Sequence, residues 1–347
     1  MAHLRRRHAH EIYEKLLKLS PLIGIFGHRQ VGKTTFLEQV CHTYRTFDDM
    51  ETLKAAQQDS SRFLKGLRKF PAGIDESQMC VELFPALKEH VRKHKHPGQF
   101  VLSGSVRFYS RKAIRESLTG RIVNVDMLPL VLTELADEDR ATLPLRLITK
   151  TSLTPDWETS LGKKVLNHRS KLIDLYFNQG GLPGICFLRN ERVRSERIRE
   201  QLQLMLDRDL RLVHPSTIPY TQILNFVSQL TTMEGEAIQP TVLRRITGIT
   251  EVTQKKILFA LENIFLIRQI SIEGDRRGLS LYFEDQAEGQ SLAEEKPDPL
   301  KQFEGLVYRN LRASFFYEMG LDFRVFQYRE SPDVRIPFAI KTKEGCL

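Results

Sequence analysis

Leu22-Ile23-Gly24-Ile25-Phe26 is a short apolar run, and Gly27-His28-Arg29-Gln30-Val31-Gly32-Lys33-Thr34 follows it directly. The second segment matches G-x-x-x-x-G-K-[ST] at every fixed position. Phe36, Leu37 and Val40 then recur at helical spacing. No other feature restricts the fold as strongly. The pattern requires a buried strand, a tight loop and a helix, in that order.

The chemistry of such a loop follows from its backbone. Gly27 and Gly32 permit tight turns, so successive N–H groups can converge on phosphate oxygens. The helix that starts at Lys33 adds the positive end of its dipole. Lys33 is placed to bridge β- and γ-phosphates, and the Thr34 hydroxyl to take one position on Mg²⁺. Thr35 either faces the α-phosphate or packs. Residues Gly27 to Thr35, with His28, Arg29, Gln30 and Val31 supplying loop amides, form the expected nucleotide cradle.

Hydrolysis needs a carboxylate for the metal and a group that orients water. The segment AGIDESQ supplies Asp75 for the Mg²⁺ shell and Glu76 for the lytic water. The competing reading is an exposed turn, since Pro71 and Gly73 interrupt the apolar lead-in. The next strand, Phe100-Val101-Leu102, runs into Ser103. A polar residue at the end of a strand beside the loop strand can touch the γ-phosphate or the water; otherwise Ser103 is an ordinary strand-end serine. Val81, Leu83, Phe84 and Leu87 fit a helix packed on the sheet. Strands alternating with helices predict a parallel α/β domain.

These segments, together with TFDDMETLKAAQQDSSRFL, SLTGRIVNVDMLPLVLTEL, QGGLPGI and LDRDL, resemble a family of bacterial and archaeal AAA-type ATPases. That family joins a P-loop core to a C-terminal region of uncharacterised role. The resemblance spans residues 20 to 215 and continues more weakly to the end. It implies ATP as the nucleotide, Mg²⁺ as the metal, Asp75 and Glu76 as the metal and water pair, and Ser103 as a sensor. It also implies that Arg121 meets the γ-phosphate of a neighbouring subunit in a homo-oligomer. The alternative for Arg121 is a structural ion pair. Asp48 and Asp49 resemble a recurrent acidic pair of the family, or cap the next helix.

The expected organisation is an AAA-type P-loop core over 1–136, with a parallel sheet and flanking helices. A linker and helical lid follow over 137–215, with Ile198, Leu202, Met205 and Leu206 on one helix face and Arg208-Asp209 as a structural pair or a nucleotide contact. The polar stretch from Ala136 to Trp157 marks the edge. Residues 216–275 read as a winged helix-turn-helix. Its recognition helix begins near Glu251 and carries Lys255 and Lys256, with Arg244 and Arg245 just before the turn. Such a helix can set its cations on DNA phosphates. Val252, Ile257, Leu258 and Leu261 mark its other face as core, which suits a packing module equally. Residues 276–347 resemble an incomplete restriction-endonuclease-like domain. Glu304 matches its first acidic position, Pro337 stands near the expected Asp, and no acidic Glu-x-Lys strand follows. No nuclease activity is expected, because hydrolytic metals need converging carboxylates.

Composition narrows the setting. A formal net charge of +9 over 347 residues suits a polyanionic partner. Cys41, Cys80, Cys186 and Cys346 are widely spaced, which points to unpaired thiols in a reducing compartment. His3, His8 and His10 lie among arginines and read as a solvated basic helix start. No apolar run spans a bilayer and no secretory signal is visible, so a cytoplasmic protein is expected. The chain therefore reads as an ATPase that switches conformation. The alternatives are an ATP-regulated DNA-binding protein and a nucleotide-binding scaffold that does not hydrolyse.

Overall fold

The computed structural model describes residues 4–107, 118, 120–138, 163–274, 277–295, 298–319, 323–331, 334–342 and 345–346. The polar stretch expected at the edge of the core lies, from residue 139 to 157, outside them. The chain divides into two compact units. One is Ala9–Leu128 with Asn263–Phe265; the other is Met1–His8, Pro129–Glu262 and Leu266–Leu347.

The first unit alternates strands and helices. In chain order it contains α1 (Ala9–Leu17), β1 (Leu22–Gly27), α2 (Lys33–Val40), β2 (Thr43–Thr46), α3 (Met50–Gln58), α4 (Ser60–Gly66), β3 (Ala72–Asp75), α5 (Leu83–Lys93), β4 (Phe100–Gly104) and β5 (Ile122–Met127). The five strands form one parallel sheet in the order β2-β3-β4-β1-β5. β1, β3 and β4 are buried along their whole length, as strands covered on both faces must be. Phe26, Phe47, Leu64, Ile74, Phe84, Phe100 and Leu102 fill the core. Local signals set the helices. Asp49 accepts from the Glu51 and Thr52 amides and caps α3, so the capping role expected for the Asp48–Asp49 pair falls to Asp49. Asp59 caps α4 through the Arg62 amide. Val81 is exposed and precedes α5, whose buried face is Leu83, Phe84, Leu87 and Val91.

The interruption before Asp75 has a packing cause. β3 is short, and a Cβ on Gly73 would lie 3.0 Å from the Cys41 sulfur. Cys41, Cys80 and Cys186 are free thiols, pushed up by burial to about 12, 11 and 12.

The second unit contains α6 (Leu132–Leu135), α7 (Lys163–Gln179), α8 (Glu191–Leu204), α9 (Tyr220–Thr231), α10 (Pro240–Thr247), α11 (Glu251–Asn263), β6 (Ile267–Gly274), β7 (Gly278–Phe283), α12 (Gln286–Leu292), α13 (Pro299–Met319), β8 (Phe323–Arg329), β9 (Arg335–Thr342) and β10 (Gly345–Cys346). Ile198, Leu202, Met205 and Leu206 are buried, as their spacing predicts. Arg208 and Asp209 pair at 3.2 Å within a π-helical turn, Met205–Asp209.

Two sequence expectations change here. The strands form one sheet, β10-β9-β8-β6-β7, that crosses the boundary expected between 275 and 276. β6 pairs with β7 on one side and with β8 on the other, because a lone hairpin would leave an unpaired edge. The N-terminal segment is not wholly solvated: Leu4 and Arg6 are exposed, but Arg7 and His8 are buried, and the Arg7 guanidinium and the His8 amide both meet Glu134, at 3.1 and 2.8 Å. Glu304, which matches the first acidic position of a nuclease-like domain, accepts from the Tyr282 hydroxyl at 2.6 Å and pairs with Arg335 at 2.6 Å.

The glycines of QGGLPGI serve packing within this unit. Gly180 has φ +70, and a Cβ there would collide with the Asp285 carboxylate. The Gly181 amide donates to that carboxylate at 2.7 Å. Asp285 in turn caps α12 through the Ala287 and Glu288 amides. Gly180→Ala is therefore expected to destabilise the second unit by about 2–4 kcal/mol, read as an earlier urea transition. An unchanged midpoint would show that Asp285 yields without loss.

Candidate functional site

The site lies where the strands of the first sheet end. β1 stops at Gly27 and α2 begins at Lys33, with Gly32 between them at φ 96, a left-handed value that glycine adopts without strain. No side chain caps α2 and no acid occupies its first turn, so its first amides face the loop. Lys33 is buried, and its ammonium donates to the Gly27 and His28 carbonyls at 3.0 and 2.8 Å. That contact curls the loop around the lysine head.

The Asp75 carboxylate, 1% exposed, organises the rest. The Thr34 hydroxyl donates to Oδ2 at 2.6 Å and the Tyr44 hydroxyl donates to the same oxygen at 2.9 Å. Ser103 donates its hydroxyl to Oδ1, and the Glu76 amide reaches Oδ1 at 3.1 Å. β4 lies between β1 and β3, with Ser103 in register with Ile25, and this order brings the three strand ends together. Ser103 thus touches Asp75 directly. Burial, then the Asp75 charge, holds the Tyr44 phenol above its ordinary range, so it remains a donor.

Glu76 follows at φ 50, ψ 38, a left-handed conformation for a residue with a side chain. Its carboxylate accepts from the Gln78 amide group. The Ser77 hydroxyl donates to the Ser103 carbonyl at 2.8 Å and ties the turn to β4. Non-glycine residues in this region cost about 1–3 kcal/mol and cluster at functional sites.

Thr34 and Asp75 together offer a hydroxyl and a carboxylate, hard oxygens of the kind Mg²⁺ selects. Among the described residues no group of three or more His, Cys, Asp or Glu could hold a metal by itself.

Thr34, Glu76 and Ser103 each contact Asp75, and Lys33 precedes Thr34 at the start of α2. Arg121 is not part of the group. It precedes Ile122, which pairs with Leu22 at the start of β1. The length of β1, roughly 17 Å, separates that edge from its own loop. Two participants carry no sequence motif, Tyr44 and Gln78, and the buried Arg107 is likewise unmarked in the sequence. Arg107 is buried beyond β4, pairs with Asp126 at 2.5 Å and lies 4.1 Å from the Phe265 ring centre. Its partners are distant in sequence, so no local signal exposes it. A tyrosine on the strand beside β3 was the one available cue for Tyr44.

A family profile described as an AAA domain matches residues 19–136. Residues 19–136 are an AAA-type P-loop domain. A second profile, for a domain of unknown function, matches residues 170–273. Uncharacterized proteins of Mycobacterium bovis and Mycobacterium tuberculosis are each 24% identical over 271 residues, 77% of this chain and 54% of theirs. The chain therefore spans about half the length of the curated relatives it matches. Two solved structures also align. DnaA from Aquifex aeolicus bound to AMPPCP is 15% identical, over 73% of this chain and 85% of that one, with a TM-score of 0.27. The replication initiator DnaA bound to AMPPCP and single-stranded DNA is 14% identical, over 74% and 85%, with a TM-score of 0.28. Scores this low establish no shared fold.

In the AAA domain, Tyr44→Phe removes a donor from a buried carboxylate. It is expected to lower stability by about 1–3 kcal/mol in urea unfolding. Combined with Ser103→Ala the losses should be non-additive, because both hydroxyls serve Asp75. Strict additivity would mean that the two contacts act independently.

Proposed function

We propose that the AAA domain binds ATP and hydrolyses it to ADP and phosphate, and that the hydrolysis switches the conformation of the protein. The observation that carries this reading is the Thr34–Asp75 contact at 2.6 Å beside the curled Lys33 loop, with Glu76 adjacent.

The loop amides and the N-terminus of α2 would bind the phosphate oxygens, and Lys33 would hold the β- and γ-phosphates. Thr34 and Asp75 would hold Mg²⁺. The metal, when bound, neutralises charge on the transferred phosphoryl group. Glu76, fixed by Gln78, would orient the attacking water and accept its proton. Tyr44 and Ser103 would keep Asp75 in place. Arg121 belongs to the opposite edge of its own sheet, so its proposed role at a γ-phosphate requires a second copy of the chain. Loss of the γ-phosphate would remove contacts to the loop and release the switch.

Single-turnover hydrolysis tests this. Wild-type protein should release phosphate, while Glu76→Gln should be at least about 100-fold slower with ATP affinity retained. Lys33→Ala should weaken ATP binding itself. Wild-type turnover as slow as that of Glu76→Gln would leave only a nucleotide-binding scaffold.

A second reading has its own support. Arg244 and Arg245 on α10 and Lys255 and Lys256 on α11 are all exposed, and an antiparallel pair, β6 and β7, follows the helices as in a winged helix. Val252, expected in the core, is 67% exposed and lies on the lysine face with Phe259. In this reading α11 contacts DNA phosphates, with binding modulated by ATP. Replacing all four cations by alanine should flatten the salt dependence of DNA binding by about 3–4 in log–log slope. An unaltered slope would move DNA contact elsewhere.

A further inference from the structure

The parallel sheet of the AAA domain has two edges of opposite use. Strand ends carry the nucleotide loop, and strand starts receive the C-termini of the preceding helices. α4 leads into β3 and α5 into β4, and both helices finish at the strand-start edge. There the sequence is strongly basic. Residues 62–69 hold four Lys/Arg and no acid, and residues 88–96 hold four Lys/Arg against Glu89 alone, in a chain whose whole excess is +9.

The two basic segments are neighbours in space. β3 and β4 pair with Ala72 opposite Phe100, and the Ala72 amide donates to the Gln99 carbonyl at 2.9 Å. The Phe70 ring meets those of Phe100 and His96 at 5.3 and 6.2 Å. His90 titrates below its ordinary range, from burial first and then from the charges of His94, His96 and Lys65, which locates Lys65 beside the end of α5.

Helix dipoles account for only part of this charge. Lys65, Arg92 and Lys93 occupy last turns, where a cation is favourable. Arg68, Lys69 and Lys95 lie beyond the helices and gain nothing from them. Lys65, Arg68, Lys69 and Lys95 are exposed and form no ion pair with a described residue, whereas Arg92 and Lys93 share Glu89.

We propose that this strand-start edge is a docking surface for the phosphate backbone of duplex DNA, bound without regard to sequence. Charge complementarity selects a polyanion. The segments expose no Phe, Tyr or Trp ring: Phe63 and Phe70 are half-buried and Phe100 is buried, and the exposed rings are the small imidazoles of His94 and His96. A single strand stacks its bases best on large exposed rings, so the duplex is favoured. They expose no large apolar side chain either, which disfavours insertion into a lipid surface. The proposal is independent of the reading of α11, which lies on other residues.

The test uses the full chain with Arg244, Arg245, Lys255 and Lys256 replaced by alanine, so that the second candidate surface is removed. Anisotropy of a labelled mixed-sequence duplex of about 30 base pairs is followed from about 50 to 300 mM KCl. Binding should persist with a log–log slope of about −4, and adding Lys65→Ala, Arg68→Ala, Lys69→Ala and Lys95→Ala should reduce the slope by about 3–4 and weaken binding at least about tenfold at low salt. Single Lys69→Gln and Lys95→Gln variants, which leave packing intact, should each reduce the slope by about 1. Equal melting temperatures would assign the loss to charge. Unchanged slope and affinity in these variants would overturn the proposal. So would binding confined to phosphatidylserine vesicles, with none to the duplex.

Discussion

A carboxylate buried at the end of β3 cannot be left without donors, and most of the first unit is arranged around satisfying Asp75. Its partners come from separate elements: Thr34 from α2, Tyr44 from β2, Ser103 from β4, and the amide of its own neighbour Glu76. Each contact fixes one element against β3. The same carboxylate therefore holds the sheet's functional edge together and presents oxygen beside the phosphate loop. A substitution at any of these donors acts first on position and only then on chemistry.

Strand order makes this possible. With β4 between β1 and β3, the ends of three adjacent strands supply the loop, Ser103 and Asp75. A direct β1–β3 pairing would bring Asp75 closer and exclude Ser103. Parallel pairing also separates charge. Acidic and phosphate-binding groups gather where strands end, while the cations after α4 and α5 gather where strands begin. Residues 62–69 and 88–96, with eight Lys/Arg against one acid, thus lie at the opposite end of the strands from Asp75 and Glu76.

What was legible in the sequence was local. The strand, loop and helix from Leu22 to Val40 announce themselves through one contiguous pattern, Ser103 follows at the end of an apolar run, and Asp75 and Glu76 stand out as an acidic pair after a short, interrupted one. Tyr44, Gln78 and Arg107 were not legible. Tyr44 reaches Asp75 across a strand pairing 31 positions away in sequence, and Arg107 depends on Asp126 and Phe265. The N-terminal segment misled for the same reason: arginine and histidine look solvated until Glu134, 126 positions from His8, is brought to them. Val252 misled through periodicity, because an exposed apolar residue beside lysines matches the helical spacing of a core face. The second sheet crosses the boundary drawn at 275 because edge pairing, which β8 supplies to β6, leaves no mark in local sequence.

Glu76 shows how strain and chemistry meet in one residue. Its left-handed backbone would suit glycine or asparagine better. Glycine would have no side chain to place, and an amide cannot take a proton from water. Only a carboxylate-bearing residue gives both the turn and a base, so the conformation must be enforced from outside. The enforcement is visible: the Glu76 amide is held by Asp75, the Met79 amide donates to the Glu76 carbonyl at 3.0 Å, and Ser77 anchors the turn on β4. Gln78 then directs the carboxylate. Asp137 and Phe265 share this left-handed backbone away from the site, so what distinguishes Glu76 is the joining of strain, three anchoring contacts and a position beside Asp75, and that combination is the physical argument for the water-orienting role proposed for it.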